Sequence, residues 1–312
     1  MNADNIKVII GSRGSELALW QSREVARLLG TKTEIRIIKT SGDKFLDIPL
    51  QGQLEKGFFT KEIEQFLFRG EIDLAVHSLK DLPTELDSRL TIGAYLKRAA
   101  VSDLLLVRED MHDPNAIFPV KPGCVVGATS LRRQAMLRYF SPGSKPAMLR
   151  GNVPTRVRKC KEGEFGAVVL ARAGVERLAL DLKPLLAYEL DPKVWLPAPG
   201  QGVIAIEARA DDKRILNLLA PLDDKPSRDA AFLERKLLAN FEGGCHTAFG
   251  AYAVPRGSIW KVMMGIEHPE MIWAQVSFDC GFEQCLGFGP ETLKIFSPIT
   301  VHQQEDLCTR LP

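Results

Sequence analysis

Short β-like runs alternating with amphipathic helical stretches constrain this chain more than any other feature. Residues 7–11, 34–39 and 73–76 each read as a strand, and helical periodicity fills the stretches between them. In the first stretch Leu17, Ala18, Val25, Leu28 and Leu29 fall on one helical face, with Ser15 placed as the N-cap. Strands separated by helices predict a parallel sheet with helices on its faces. From about residue 99 to 197 the alternation recurs, with strand-like runs at 125–127, 147–150 and 167–170 and helices beginning near Ser130 and Val153. Two α/β units of similar size, without a visible sequence repeat, predict two lobes facing a cleft.

Leu196-Pro197-Ala198-Pro199-Gly200 interrupts this pattern with a stiff break. The strand-like stretch 203–208 is expected to return to the first lobe, so that the chain crosses between the lobes twice. A helix over 227–241 then leads into strand-like runs at 251–254, 260–266 and 272–278, a small α+β third domain. The expected boundaries are 1–98 with 198–219 for the first domain, 99–197 for the second and 220–312 for the third. Beyond Cys280 the periodicity fades and no element is predicted.

Composition narrows the class. Of 312 residues, 45% are hydrophobic and 26% charged, which suits a globular protein. No apolar run approaches the roughly 20 residues that a membrane span needs. The first strand begins so early that no signal or transit peptide is expected ahead of it. Six cysteines are scattered without metal-ligand spacing or disulfide-rich density, so a reducing cytoplasm and no metal are expected. A net charge of +2 with interspersed acids argues against nucleic acid as a partner.

The arginines cluster at predicted strand and helix ends. Arg13 lies between a strand and a helix start; Arg132 and Arg133 occupy a first helical turn after Thr129-Ser130. Arg150 ends a strand, Arg156 begins the next helix, and Arg172 and Arg177 follow another strand. Cations in a helix's first turn oppose its dipole, so their presence there asks for a reason. Anion binding supplies one, because helix N-terminal N–H groups and guanidinium forks together capture carboxylate or phosphate beyond the carboxyl ends of strands. In Val76-His77-Ser78-Leu79-Lys80-Asp81-Leu82-Pro83, a strand delivers Ser78, Lys80 and Asp81 to its carboxyl end. Among so many arginines, Asp81 is expected to hold a cationic substrate group or take a proton. His77 reads as a hydrogen-bonded structural histidine. The polar stretch 41–55 before Lys56-Gly57-Phe58-Phe59 has the length of a lid, and its phenylalanines are either core anchors or a stacking surface for a planar ligand.

Glu242-Gly243-Gly244-Cys245-His246 presents a thiol on unshielded backbone. Taken alone it reads first as a glycine turn closing the preceding helix. The competing reading is an accessible thiol that is a nucleophile, a redox sensor or a covalent anchor.

In family order, these segments resemble hydroxymethylbilane synthase, also called porphobilinogen deaminase. The matching stretches are Ser12-Arg13-Gly14-Ser15-Glu16-Leu17-Ala18-Leu19-Trp20-Gln21, Val76 to Pro83, Ser130-Leu131-Arg132-Arg133-Gln134, Leu149-Arg150-Gly151-Asn152-Val153-Pro154-Thr155-Arg156, Leu196-Pro197-Ala198-Pro199-Gly200-Gln201-Gly202 and Glu242-Gly243-Gly244-Cys245. The resemblance implies two α/β domains like those of periplasmic binding proteins, with the active site in the cleft between them, and a small α+β C-terminal domain. It implies a cytoplasmic monomer that condenses four porphobilinogen molecules head to tail, with loss of ammonia, and releases the linear tetrapyrrole hydroxymethylbilane. The implied cofactor is a dipyrromethane on a thioether to Cys245, with no metal. Asp81 matches the catalytic carboxylate. Lys80, Ser78, Thr129, Ser130, Arg132, Arg133 and Arg150 match cofactor-binding positions. Arg13, Ser15, Arg150, Arg156, Arg177, Lys56 and Phe59 match substrate-binding ones, with Phe59 beside the cofactor under the lid.

Three departures stand out. Ala100-Val101-Ser102-Asp103 replaces a run that in the family usually carries an arginine, Ala248 replaces a common proline, and the tail from Cys280 matches poorly. The alternative class is a two-lobed anion-binding protein without catalysis, which would explain the arginines but not Asp81 or the Gly-Gly-Cys loop.

Overall fold

The computed structural model describes residues 7–39, 60–241, 248–268, 270, 272–289, 295–298 and 307–311. The chain divides into two compact units, Met1–Ala99 with Gly202–Asp229 and Ala100–Gln201 with Ala230–Pro312.

In the first unit, β1 (Val8–Ser12), β2 (Thr33–Ile37), β3 (Leu74–Ser78), β4 (Leu90–Tyr95) and β10 (Ile204–Arg209) form one sheet in the order β2-β1-β3-β10-β4. β1 runs parallel to β2 and β3, whereas β10 is antiparallel to both of its neighbours. The sheet is therefore mixed and not purely parallel. β10 arrives from a distant segment with no crossover helix joining it to β3 or β4, so nothing obliges it to run with them. Val8, Ile10, Leu74, Val76 and Ile206 form the apolar centre on one side. Helix α1 (Glu16–Leu29) starts at Ser15, whose Oγ accepts from the Ala18 N–H at 3.3 Å, and ends at Gly30 in the left-handed region, φ 61°. Its buried residues are Gln21, Ser22 and Val25, and Leu28 is exposed, so the stripe facing the sheet is more polar than the expected one. Helix α2 (Lys61–Phe68) covers the other side with Ile63 and Leu67.

The second unit holds two sheets. The larger has the order β14-β9-β5-β8-β6-β7, from β5 (Asp103–Val107), β6 (Val125–Gly127), β7 (Lys145–Ala147), β8 (Ala167–Ala171), β9 (Leu186–Leu190) and β14 (Cys308–Arg310). β6 runs parallel to β7 and β8, while β5 is antiparallel to β8 and β9 and the edge strand β14 is antiparallel to β9, so two of the six strands are reversed. Helices α3 (Leu131–Phe140), α4 (Val153–Lys161) and α5 (Arg172–Arg177) each follow one of the parallel strands. The smaller sheet is an antiparallel meander of β11 (Phe249–Arg256), β12 (Ile259–His268) and β13 (Ile272–Cys280). Helix α7 (Lys225–Phe241), which follows the short α6 (Lys213–Leu219), packs Leu233, Leu237 and Phe241 on it.

Buried Glu234 of α7 accepts backbone N–H groups from Gly200 at 2.8 Å and Ala253 at 3.0 Å, tying the Pro197–Gly200 break to β11. The tail contains two features not read from sequence. A Cys280–Cys285 disulfide brackets the start of α8 (Phe282–Leu286), and β14 pairs with β9 rather than with the meander.

Candidate functional site

In the first unit the polar residues gather where β1 and β3 end. These strands are adjacent and parallel, so their carboxyl ends open on one edge of the sheet. Arg13 follows β1, Ser15 begins α1, and β3 delivers Ser78 before a short 3-10 turn, Leu79–Asp81. Arg13, Ser15, Gln21, His77, Ser78 and Asp81 line a concavity of about 90 Å³ that opens to solvent. Buried Gln21 donates from Nε2 to Ser78 Oγ at 2.8 Å, which fixes that hydroxyl and leaves its own hydrogen to donate outward. Asp81 is exposed and, among the described residues, makes no side-chain hydrogen bond or ion pair. Lys80 beside it is half-buried. The result is a carboxylate among hydroxyl, guanidinium and helix N-terminal donors.

His77 faces the same concavity, and its Nε2 lies 3.2 Å from Glu207 Oε2 on β10, as the reading of a hydrogen-bonded histidine requires.

The second unit repeats the arrangement at the ends of β6 and β7. Thr129 Oγ1 donates to the Leu149 carbonyl, and Ser130 Oγ caps α3 by accepting from the Arg133 N–H at 3.2 Å. Arg150 follows β7, is half-buried and has no side-chain partner among the described residues. Gly151, with φ 106°, makes the turn into α4. A Cβ there would lie 2.7 Å from the Thr155 methyl, so only glycine fits. The Gly151 carbonyl accepts from Arg156 Nε at 2.7 Å, which fixes Arg156 against the turn that follows Arg150. Arg177 ends α5, and burial pulls its guanidinium pKa down to about 10. Arg172 is committed to Glu176 and Glu189.

Arg132 and Arg133 differ from the solvent-facing forks that their position suggested. Both are buried on a single carboxylate, fully enclosed Asp103 at the start of β5. Arg132 Nη2 donates at 2.9 Å to Asp103 Oδ2; Arg133 Nε and Nη2 donate to its two oxygens at 2.9 and 2.6 Å. Trp195 Nε1 and Gln201 Nε2 add bonds at 3.0 and 2.9 Å, and Arg132 Nη1 donates to the Leu196 carbonyl. Burial is the main force lowering the Arg132 pKa, with Asp103 opposing it. Two guanidiniums against one carboxylate leave an excess positive charge under the N-terminus of α3. Sequence reading missed Asp103; its only signal was an acid opening the apolar run Leu104-Leu105-Leu106-Val107.

Lys56, Phe59 and Cys245 lie outside the described residues. The other cysteines are accounted for. Burial pushes the thiols of Cys124 to about 11 and of Cys160 and Cys308 to about 12, and Cys280 and Cys285 are bonded to each other.

The family model for "Porphobilinogen deaminase, dipyromethane cofactor binding domain" matches residues 8–217. Porphobilinogen deaminase of Syntrophomonas wolfei subsp. wolfei is 44% identical over 253 residues, 80% of this chain and 81% of that protein. The enzyme of Roseiflexus sp. (strain RS-1) is 43% identical over 272 residues, covering 85% and 88% of the two chains. A probable porphobilinogen deaminase of Methanocaldococcus jannaschii is 43% identical over 248 residues, 78% of this chain and 82% of that one. Among solved structures, the Bordetella pertussis BvgS periplasmic VFT2 domain is 17% identical, covers 69% of this chain and 85% of its own, and has a TM-score of 0.40. With the family model spanning both sheet-ending clusters and relatives above 40% identity over most of its length, this chain belongs to the porphobilinogen deaminase family.

Proposed function

We propose that this chain is a transferase, hydroxymethylbilane synthase, which joins porphobilinogen units head to tail with loss of ammonia and releases linear hydroxymethylbilane. The observation that carries this reading is Asp81, a carboxylate in the turn after β3 that has no partner among the described residues and lies within a set of anion-binding donors. A non-catalytic anion binder has no use for that charge, which would repel its ligand.

The donor set fits a dipyrromethane. Each pyrrole carries an acetate and a propionate, so paired pyrroles need several forked cations. Their N–H groups need an acceptor, and Asp81 supplies a charged one. When bound, the dipyrromethane supplies the pyrrole carbon on which the product chain starts and several carboxylates by which it is held. Ser78, Lys80, Thr129, Ser130 and Arg150 are its proposed contacts, with Cys245 as the thioether anchor. Three of the five other thiols are disfavoured as thiolates by burial and two form a disulfide, which supports that choice. Arg132 and Arg133 enter as the source of the excess positive charge under α3, with most of their donors already committed to Asp103, Val169 and Leu196. Arg13, Ser15, Arg150, Arg156, Arg177, Lys56 and Phe59 are the proposed substrate contacts.

In this scheme Asp81 faces the pyrrole nitrogen of the incoming porphobilinogen and stabilises the positive charge that develops there as the amine leaves. It also accepts protons in the coupling step. The guanidiniums hold side-chain carboxylates and thereby set the distance between the carbons that join. Among the described residues no helix is long and apolar enough to cross a membrane. A monomer in the cytoplasm, without nucleic acid or membrane partners, completes the reading.

Incubation with porphobilinogen should yield ammonia and a linear tetrapyrrole, and the intact protein should weigh one dipyrromethane more than its sequence. The Cys245→Ala protein should lack that added mass; if it keeps it, the anchor is elsewhere. Arg150→Leu should raise the KM for porphobilinogen by about 10-fold or more, because a charge-assisted fork contributes roughly 1.5–3 kcal/mol. An unchanged KM would remove Arg150 from the substrate contacts.

A further inference from the structure

We propose that Glu207 is a positioning residue for this reaction, acting through His77; the proposal rests on the activity inferred above. Glu207 and His77 sit two positions out of register on neighbouring antiparallel strands, with Ala205 opposite His77 and Glu207 opposite Ala75. Their side chains therefore share a face of the sheet. Glu207 is fully enclosed, and His77 is nearly so while still contributing to the wall of the concavity that contains Asp81. Among the described residues, the one hydrogen bond between them links Nε2 and Oε2, and Glu207 Oε1 has no hydrogen-bond partner.

A buried carboxylate with one unsatisfied oxygen is a poor stabilising element. An apolar residue of similar volume generally serves a core as well or better. Glu207 also stands opposite Ala75, which belongs to an apolar cluster with Ile63 and Leu67. Its chemistry is better matched to holding an imidazole. By accepting from Nε2–H, the Glu207 carboxylate selects the tautomer, fixes the ring plane and leaves Nδ1 as the ring's acceptor. The ring in turn braces the last residues of β3, directly ahead of Ser78 and of the turn that carries Asp81.

Other charges bear on the pair from each neighbouring element. Glu64 of α2 is coupled to both groups, and burial pushes its own pKa up against a hydrogen bond from Thr60. Asp87, ahead of β4, acts on Glu64 as well. Arg209, two residues along the same face of β10, is held by the Leu67 and Ile72 carbonyls. Arg13 and Asp81 line the concavity in front of His77.

The test uses the full-length enzyme carrying its cofactor. Glu207→Gln keeps the volume and an acceptor for Nε2 but removes the charge. It should attach the dipyrromethane normally by mass, keep KM for porphobilinogen within about twofold, lower kcat by about 10- to 100-fold and change the shape of the pH–rate profile. Glu207→Leu should be at least as slow even if it melts no earlier than the Gln variant, and Glu207→Asp should recover part of the turnover. His77→Gln, which breaks the same link from the other side, should reproduce the loss. Normal kcat and pH profile in any folded Gln or Leu variant overturns the proposal, and so does failure of all of them to fold, which would make the pair a stability element. Inactive wild type run alongside would instead refute the underlying activity.

Discussion

Asp81→Asn is expected to lower kcat by at least about 100-fold while the protein folds and carries its cofactor as before. The side chain is exposed and has no partner among the described residues, so no native contact is lost and stability should shift by less than about 0.5 kcal/mol. On the proposed mechanism, what is lost is a full negative charge facing a nitrogen that becomes positive in the transition state. A group of that kind contributes about 2.7–4 kcal/mol, equivalent to about 100- to 1000-fold in rate. The amide is nearly isosteric, so porphobilinogen binding through its carboxylates should change little and the effect should fall on kcat. Stopped assays of tetrapyrrole formation, with intact mass and a melting curve on the same sample, separate these outcomes. Turnover within a few-fold of wild type would remove Asp81 from the chemistry.

Asp103→Asn should produce the largest loss of stability, about 3–5 kcal/mol for the unit that contains it. Five donor atoms from Arg132, Arg133, Trp195 and Gln201 converge on its two oxygens, all within 3.0 Å and all shielded from water. The amide would turn an N–H₂ group toward those donors and leave two buried guanidiniums with no counter-charge. Because the chain has two compact units, the loss should appear as an early transition in calorimetry and not as a uniform shift. Asp103→Glu, which keeps the charge at the wrong length, should fall between. A melting profile for Asp103→Asn within about 1 °C of wild type would mean that the network contributes nothing net.

These two carboxylates mark how far the sequence could be read. Asp81 was legible because Pro83 and the preceding apolar strand place it at a strand end among arginines, a local pattern. Asp103 was not, because its partners come from 29, 30, 92 and 98 residues away and nothing in its neighbours announces them. The same distinction separates the strands. β1, β3, β6 and β8 show as apolar runs between helices, and the meander β11 to β13 shows as three consecutive runs. β4 and β5 follow one another with no helix between them, and β14 is a three-residue edge whose pairing depends on β9. The stripe on α1 was misjudged for a related reason: Gln21 is buried because Ser78, 57 residues on, receives its amide.

By itself the amino-acid sequence determined the α/β class, the positions of the strand-ending arginines, Asp81 and the cysteine loop, because each depends on local periodicity or on an ordered set of motifs. Tertiary structure alone decided which of those charges are open to a ligand. It sank Arg132 and Arg133 onto Asp103, left Arg150 and Asp81 unpaired among the described residues, and set Glu207 behind His77. The physical reason is that charge in a chain is a local property, whereas its neutralisation depends on groups that only folding brings within about 3 Å.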